Sequence, residues 1–114
     1  MELTAALVEA LVARLFSPEA RADAASVLAQ YSTQPHEREA IRVRVAALKL
    51  SEGSLDRLRE LMASAKRDYR DVLAWAEYPE ELRSPTWRLP TAEQARIRTA
   101  DRLQYLAWLD AHRK

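Results

Sequence analysis

The chain contains a single glycine, Gly53, among its 114 residues. Glycine supplies the positive backbone φ angles that tight hairpin turns and phosphate-cradling loops require. One glycine therefore excludes a P-loop and the Gly-x-Gly-x-x-Gly fingerprint of dinucleotide-binding folds, and it disfavours a sheet of many strands. Alanine, leucine, arginine and glutamate, which are good helix formers, are abundant instead. Together these features predict an all-α protein.

The length and composition of the chain indicate its class. A chain of 114 residues has the length of one domain, so we expect residues 1–114 to form a single helical domain. Cysteine is absent, which excludes disulfides, thiolate zinc sites and cysteine nucleophiles. The N-terminal segment is acidic at Glu2 and is interrupted by charges at Glu9 and Arg14, which is atypical of a signal peptide or a membrane span. We therefore expect a cytoplasmic protein without membrane contacts.

Hydrophobic spacing divides the chain into about five helices. Apolar residues recur at intervals of three and four, and capping residues or prolines separate the segments. The predicted helices cover approximately residues 3–16, 18–31, 35–51, 54–77 and 92–113. The third helix is apolar on two sides, which is typical of a central position. The segment 54–77 has the most regular spacing and predicts one long helix, with Gly53 ending the helix before it. We expect a compact bundle or array, with an irregular proline-containing loop at about residues 78–91.

Residues 68–88 hold the densest cluster of acidic and aromatic side chains, and we name this segment the acidic-aromatic region. Its candidate partner-binding residues are Asp68, Asp71, Trp75, Tyr78 and Trp87. The first three fall on neighbouring turns of the predicted helix 54–77. One interpretation is a groove for a cationic or arginine-bearing partner. The alternative is that Trp75 and Tyr78 anchor the following loop in the core while the acidic side chains are solvated.

The last helix has more apolar residues than one packed face needs. Its main apolar arc consists of Ile97, Ala100, Leu103, Ala107 and Trp108. Three further candidate partner-binding residues lie off that arc: Tyr105, Leu106 and Leu109. A helix of this kind either lies in the middle of a bundle or buries its second face against another chain. Tyrosine and tryptophan are common interface anchors, so self-association or a protein partner is expected here.

Catalytic and metal-binding motifs are not recognisable in the chain. No Glu-x-x-His pair occurs, and the two histidines, His36 and His112, fit ordinary surface positions. We assign no catalytic residue, no metal ligand and no cofactor. One enzymatic alternative stays open, a small ligand-binding or hydrolase-like pocket that uses Asp71 and neighbouring carboxylates.

A basic ridge on the third predicted helix gives a weaker alternative, which is contact with nucleic acid. Arg38, Arg42 and Lys49 lie on one side of that helix at about 100° per residue. However, the chain has a net charge of only +1, and three basic residues neutralise few phosphates. The leading hypothesis is therefore a non-enzymatic protein-interaction module, an adaptor or a homodimer. It would bind through the acidic-aromatic region, the last helix, or both.

Overall fold

A computed structural model describes residues 3–32, 34–83 and 86–112. Within these ranges all the regular elements are helical, which confirms the all-α prediction. The α-helices are α1 (Ala5–Leu15), α2 (Pro18–Ala29), α3 (Ala40–Ser51), α4 (Leu55–Arg67), α5 (Tyr69–Glu77), α6 (Pro79–Arg83) and α7 (Thr91–His112). A short 3₁₀ turn at Thr86–Arg88 lies between α6 and α7.

Helix α3 lies at the centre of the molecule, as its two apolar sides predict. It packs against α1, α4 and α5. Five of its side chains are completely buried: Val43, Val45, Ala46, Ala47 and Leu48. Burial of apolar side chains is favourable, so these five residues contribute to the hydrophobic core. The cores of the neighbouring helices are therefore organised around α3.

Two arginine side chains donate hydrogen bonds to carbonyl groups at the C-terminal ends of the first two helices. Arg44 of α3 donates to the carbonyl oxygens of Leu28 and Tyr31, at and just beyond the end of α2. Arg21 of α2 donates to the carbonyl oxygens of Ala13 and Phe16 in the same way at the end of α1. The last carbonyl groups of a helix have no partner within the helix, so these contacts satisfy them and fix how successive helices meet.

The prediction of one helix over residues 54–77 is wrong in one respect, because the structure divides this segment at Asp68. The backbone of Asp68 is extended, with φ −157° and ψ 104°, and its carboxylate accepts the Arg70 N–H at 3.0 Å. Aspartate favours such a capping geometry over a place inside a helix. The break allows α4 and α5 to pack against α3 and against each other, which one straight helix could not do.

Helix α7 is the longest helix in the described ranges, with 22 residues. Its buried Asp101 accepts the N–H groups of Glu80 at 3.1 Å and Glu81 at 3.0 Å. One side chain of α7 therefore caps the first turn of α6. This contact stabilises the short helix α6 within the segment 78–91, for which the sequence predicts an irregular connection with a short turn after Pro79. No helix in the described ranges is both long enough and apolar enough to cross a bilayer.

Gly53 lies where the sequence predicts it, directly after the end of α3. Its φ angle is +81°, and Glu52 before it also has a positive φ of 52°. A Cβ atom added at Gly53 would lie 2.8 Å from the carbonyl oxygen of Leu15. Glycine is required here for two reasons, the left-handed backbone and the close approach of the end of α1.

Candidate functional site

A cleft of about 520 Å³ runs along one side of α7, and we name it the α7 cleft. Its far wall includes Arg42 of α3, Glu77 at the end of α5 and Leu3 before α1. Its near wall includes Arg98, Arg102, Tyr105, Leu106 and Leu109 of α7. Small-molecule sites in proteins usually have volumes of about 300–1,000 Å³. The α7 cleft therefore has the size of a ligand site.

Helical periodicity brings the cleft-facing side chains of α7 together. Arg98, Arg102, Tyr105 and Leu109 follow one another at steps of three or four residues, so they share one side of the helix. The rotation of α7 about its own axis is set by Asp101, whose buried carboxylate is held by the backbone of α6. The same buried residue that caps α6 thus determines which side of α7 faces the cleft.

An ion pair between α3 and α5 forms part of the far wall. The guanidinium of Arg42 donates from Nε to Oε2 of Glu77 at 2.8 Å and from Nη2 to Oε1 at 2.6 Å. Paired hydrogen bonds of this kind are among the stronger polar contacts in proteins. The hydrogen bond to Glu77 raises the pKa of Arg42 above its ordinary value, although burial acts in the opposite direction. The pair is therefore fixed in position, and its two charges neutralise each other.

Tyr105 lines the cleft, but its hydroxyl group is buried behind the surface of the lining. Its side chain is only 9% exposed, and its hydroxyl oxygen makes no hydrogen bond to any residue that the structure describes. Burial, together with the nearby Glu77 carboxylate, raises the pKa of Tyr105 well above its ordinary value, so the hydroxyl stays protonated at neutral pH. A buried polar group without a partner costs about 1–3 kcal/mol. The hydroxyl oxygen is inaccessible to solvent, so an acceptor placed in the cleft would reach it only if the Tyr105 side chain moved.

Two more arginines lie on the cleft side of α7. Arg98 donates to Oε1 of Glu81 at 3.2 Å, and both side chains are partly exposed to solvent. Arg102 is exposed and forms no ion pair with any residue in the described ranges. Apolar side chains lie beside these charges, among them Leu106 and Tyr78. The cleft thus joins an apolar surface to guanidinium donors, which is the composition of a site for an amphipathic anion.

Four of the eight residues predicted to bind a partner line the α7 cleft together. These are Tyr78, Tyr105, Leu106 and Leu109. Tyr78 belongs to the acidic-aromatic region and the other three to the last helix, so the two predicted surfaces meet at this point. Two residues of the main apolar arc of the last helix differ in burial. Leu103 is 60% exposed, whereas Trp108 packs against the core.

The other four predicted residues do not lie in the α7 cleft. Asp68 caps α5 and pairs with Arg70, whose hydrogen bond lowers the pKa of Asp68 below its ordinary value. Asp71 is exposed on α5 and does not line the α7 cleft, so its use in a pocket stays a prediction. Trp75, 41% exposed, lies beside a second pocket of about 600 Å³ between α4 and α5. The acidic-aromatic region is therefore not one groove.

Trp87 is the most exposed of the predicted aromatic residues. Its side chain is 74% exposed, and the Arg88 guanidinium carbon lies 4.6 Å from the centre of its ring. This distance is typical of a cation–π contact, which at exposed sites contributes about 0.5–1 kcal/mol. The indole thus lies on the surface and does not anchor the segment in the core.

Two of the three residues of the basic ridge predicted on α3 lie beside acidic side chains of the protein. Arg42 is bound by Glu77, and Lys49 lies near the buried Asp101. Burial lowers the pKa of Lys49, while the Asp101 charge opposes that change. The predicted ridge thus presents few free charges to a nucleic acid.

The histidines are likewise held by neighbouring residues. His36 lies 3.3 Å from the carbonyl oxygen of Lys66, and His112 stacks on Trp108 at 4.7 Å. Among the described residues, no three histidine, aspartate or glutamate side chains come together as metal ligands would.

Sequence reasoning did not identify Arg98 and Arg102 as site residues, and it placed Glu77 in the acidic-aromatic region without its partner Arg42. Glu77 is 35 positions from Arg42, so no local pattern connects them. The four-residue interval between Arg98 and Arg102, continued by Leu106, was the one available signal, since it places two cations and a leucine on one side of a helix.

Comparisons of the chain with protein-family models, with curated proteins and with solved structures found no match. The geometry of the α7 cleft therefore provides the basis for assigning a function.

Proposed function

We propose that this protein is a non-enzymatic binding module that takes a small organic ligand into the α7 cleft. The observation that supports this proposal best is the composition of the cleft, in which Leu106 and Leu109 lie beside the exposed guanidinium of Arg102. Ligand sites in proteins usually combine an apolar lining with a few polar groups that orient the ligand.

The walls of the cleft support the same proposal, because they are held in place before a ligand arrives. The Arg42–Glu77 pair joins α3 to α5, and Asp101 joins α7 to α6. A site whose walls are already ordered loses less conformational entropy when it binds a ligand. The proposal keeps the binding role expected of the last helix and places a ligand on the face where a protein partner was predicted.

A neutral fluorescent dye tests this proposal without any assumption about charge. N-phenyl-1-naphthylamine becomes fluorescent in apolar sites, and we expect saturable binding to the wild-type protein. Leu106→Lys introduces a charged side chain into the cleft lining and should abolish that binding. Leu103→Lys is the matched control, because Leu103 is 60% exposed and lies on the opposite side of α7 from Tyr105.

Either of two results would reject the proposed function. One is the absence of saturable dye binding to the folded wild-type protein. The other is equal binding by the wild type and by a Leu106→Lys variant whose circular dichroism spectrum is unchanged. Circular dichroism is measured on every variant, so a loss of binding through unfolding is recognised.

A second candidate function, self-association, is supported by the exposure of large apolar side chains. Trp87 is 74% exposed and Leu82 is 53% exposed, and exposed tryptophan is a common anchor of protein interfaces. Sedimentation velocity over a concentration series should show a growing dimer fraction that Trp87→Ala removes and that Trp75→Ala leaves unchanged. A monomer at all concentrations would reject this candidate.

A further inference from the structure

The second pocket, of about 600 Å³, lies between α4 and α5, and we name it the α4–α5 pocket. Its α4 wall runs from Arg57 to Arg67 through Glu60 and Ser64, which follow one another at steps of three or four residues. Trp75 is the lining residue that α5 contributes. The volume is in the range of small-molecule sites, and no residue that lines this pocket also lines the α7 cleft.

Trp75 is not needed for the core packing of α5. Val72, Leu73 and Ala76 of this helix are buried, whereas the Trp75 side chain is 41% exposed at the pocket. Its indole N–H donates to no residue in the described ranges. An accessible indole offers a flat apolar surface on which another aromatic ring can stack. This wall of the pocket therefore favours a ligand with a planar ring.

The free polar side-chain groups of the pocket are hydrogen-bond donors. Arg67 donates from Nη2 to the Ser64 hydroxyl oxygen at 3.3 Å, so the hydroxyl proton and the other guanidinium N–H groups stay available. Both side chains are at least partly exposed, so a ligand in the pocket can reach them. The lining carboxylate, Glu60, is paired with Arg57 at 3.3 Å. A ligand that carries hydrogen-bond acceptors therefore complements the end of the pocket at Arg67.

Arg67 forms no ion pair with a carboxylate in the part of the chain that the structure describes. Two acidic residues follow it closely in sequence, Asp68 and Asp71. Asp68 pairs with Arg70 at 2.9 Å. The pKa of Arg70 is raised chiefly by its hydrogen bond to Asp68 and also by the charge of Asp71, so both acids act on Arg70. An anionic group on a ligand would therefore pair with Arg67 without displacing a carboxylate.

We infer that the α4–α5 pocket binds a planar aromatic compound that carries one anionic group. The ring stacks on the Trp75 indole, and the anionic group accepts hydrogen bonds from the Arg67 guanidinium and the Ser64 hydroxyl. A guanidinium suits such a group because it presents several N–H donors in one plane. This inference concerns a different surface from the α7 cleft and does not depend on the proposed function.

Four compounds of similar size test the charge and the planarity of the ligand by isothermal titration calorimetry at neutral pH. They are 2-naphthoate, 2-naphthalenemethanol, 2-naphthylmethylammonium and the saturated decahydro-2-naphthoate. We expect 2-naphthoate to bind about tenfold more tightly than the neutral alcohol, which is the ratio expected of one hydrogen bond to a charged group. The ammonium compound should bind the most weakly, because its charge would face Arg67. The saturated carboxylate should bind about fivefold more weakly than 2-naphthoate, because it has no aromatic face to stack on the indole.

Variants of Arg67 and Trp75 test the position of the ligand. Arg67→Gln should lower the affinity for 2-naphthoate about tenfold and leave the affinity for the neutral alcohol unchanged. Trp75→Leu should weaken both compounds about fivefold, because both rings stack on the indole, and Trp75→Phe should weaken them less. Arg102→Gln is the matched control, because it replaces an exposed arginine of the α7 cleft and should leave 2-naphthoate binding unchanged.

Several results would overturn this inference. They are the absence of 2-naphthoate binding to the folded wild type, binding of the ammonium compound as tight as that of 2-naphthoate, and a 2-naphthoate affinity that Arg67→Gln leaves unchanged. A loss in Arg102→Gln as large as that in Arg67→Gln would also overturn it, since the compound would then lie in the α7 cleft. Circular dichroism of each variant separates a loss of binding from unfolding. None of these results decides the proposed function, which is tested by the neutral dye and Leu106→Lys.

Discussion

The guanidinium of Arg42 holds the carboxylate of Glu77 through two hydrogen bonds of 2.8 and 2.6 Å, and this contact joins α3 to the end of α5. The carboxylate is almost completely buried, whereas the arginine side chain is 38% exposed. Removal of one member of such a pair leaves the other charge in a poorly solvated place. The pair is therefore both a structural link and a wall of the α7 cleft.

Arg42→Ala should reduce the free energy of unfolding by about 2 kcal/mol, because it leaves the buried Glu77 carboxylate without its partner. The partial exposure of Arg42 keeps the loss below that of a fully buried pair. Urea denaturation provides the measurement. Arg59→Ala is the control, since Arg59 forms an exposed pair with Asp56 and its removal should change the stability by about 0.5 kcal/mol or less. Equal losses in both variants would contradict a special role for the Arg42–Glu77 pair.

Tyr105→Phe should stabilise the ligand-free protein by about 1 kcal/mol, because it removes a buried hydroxyl that has no partner among the described residues. Tyr31→Phe should do the opposite and destabilise the protein by about 1 kcal/mol, since the Tyr31 hydroxyl donates to the Arg38 carbonyl oxygen at 2.6 Å. Thermal and urea unfolding of both variants give the comparison. A loss of stability in Tyr105→Phe as large as that in Tyr31→Phe would show that the Tyr105 hydroxyl is already satisfied.

The stability of the protein should fall in alkaline solution because of two tyrosines. Burial and the Glu37 charge raise the pKa of Tyr31 to about 12 from an ordinary value of 10.0, and the pKa of Tyr105 is raised in the same direction. Above pH 10 the unfolded chain therefore loses hydroxyl protons that the folded chain keeps, so the unfolded state binds fewer protons. The raised pKa of Tyr31 changes the free energy of unfolding with pH. The stabilisation from Tyr31 is fully present below about pH 10 and is lost between about pH 10 and pH 12.

The change in unfolding free energy between pH 9 and pH 11 measures this effect. Tyr31→Phe should make the alkaline decrease smaller. The matched control is Tyr78→Phe, which removes a partly exposed tyrosine hydroxyl from the end of α5. If Tyr31→Phe leaves the decrease in unfolding free energy between pH 9 and pH 11 unaltered, the assignment of this decrease to Tyr31 is wrong.

Asp101→Ala should destabilise the protein by about 2 kcal/mol and loosen α6, because its carboxylate accepts the first N–H groups of that helix. Faster hydrogen exchange at the Glu80 and Glu81 amides is the specific measurement. Dye binding in the α7 cleft should also weaken, since Asp101 holds α7 in its orientation. Asp56→Ala removes an exposed carboxylate from α4. This control should change neither the hydrogen exchange of the two amides nor the binding of the dye. Unchanged exchange at the two amides would exclude the capping role.

Gly53→Ala should reduce the free energy of unfolding by about 2 kcal/mol, because Gly53 has a positive φ and its added Cβ would lie 2.8 Å from the Leu15 carbonyl oxygen. The neighbouring residue Glu52 also has a positive φ, of 52°, so Glu52→Gly should stabilise the protein by up to about 1 kcal/mol. Urea denaturation of the two variants tests whether Gly53→Ala lowers the free energy of unfolding and Glu52→Gly raises it. A neutral Gly53→Ala variant would show that the end of α1 moves aside at little cost.

The sequence alone predicted the features that depend on neighbours within about one helical turn. These include the all-α class, the central position of α3 and the end of α3 at Gly53. Helical hydrogen bonds, capping and apolar faces all involve residues up to about four positions apart, so each leaves a local pattern. Three of the residues selected on the helical wheel of α7, Tyr105, Leu106 and Leu109, line the α7 cleft, whereas their role in binding a partner stays a prediction.

Tertiary structure alone decided the division at Asp68, the Arg42–Glu77 pair and the cleft itself. Asp68 could continue a helix or cap one, and the gain from packing both α4 and α5 against α3 favours the cap. The pair and the cleft join residues that are tens of positions apart, so their existence depends on how whole helices pack. The scarcity of glycine, the abundance of helix formers and the apolar spacing thus predict a helical chain, whereas the contacts between the helices decide where a ligand could bind.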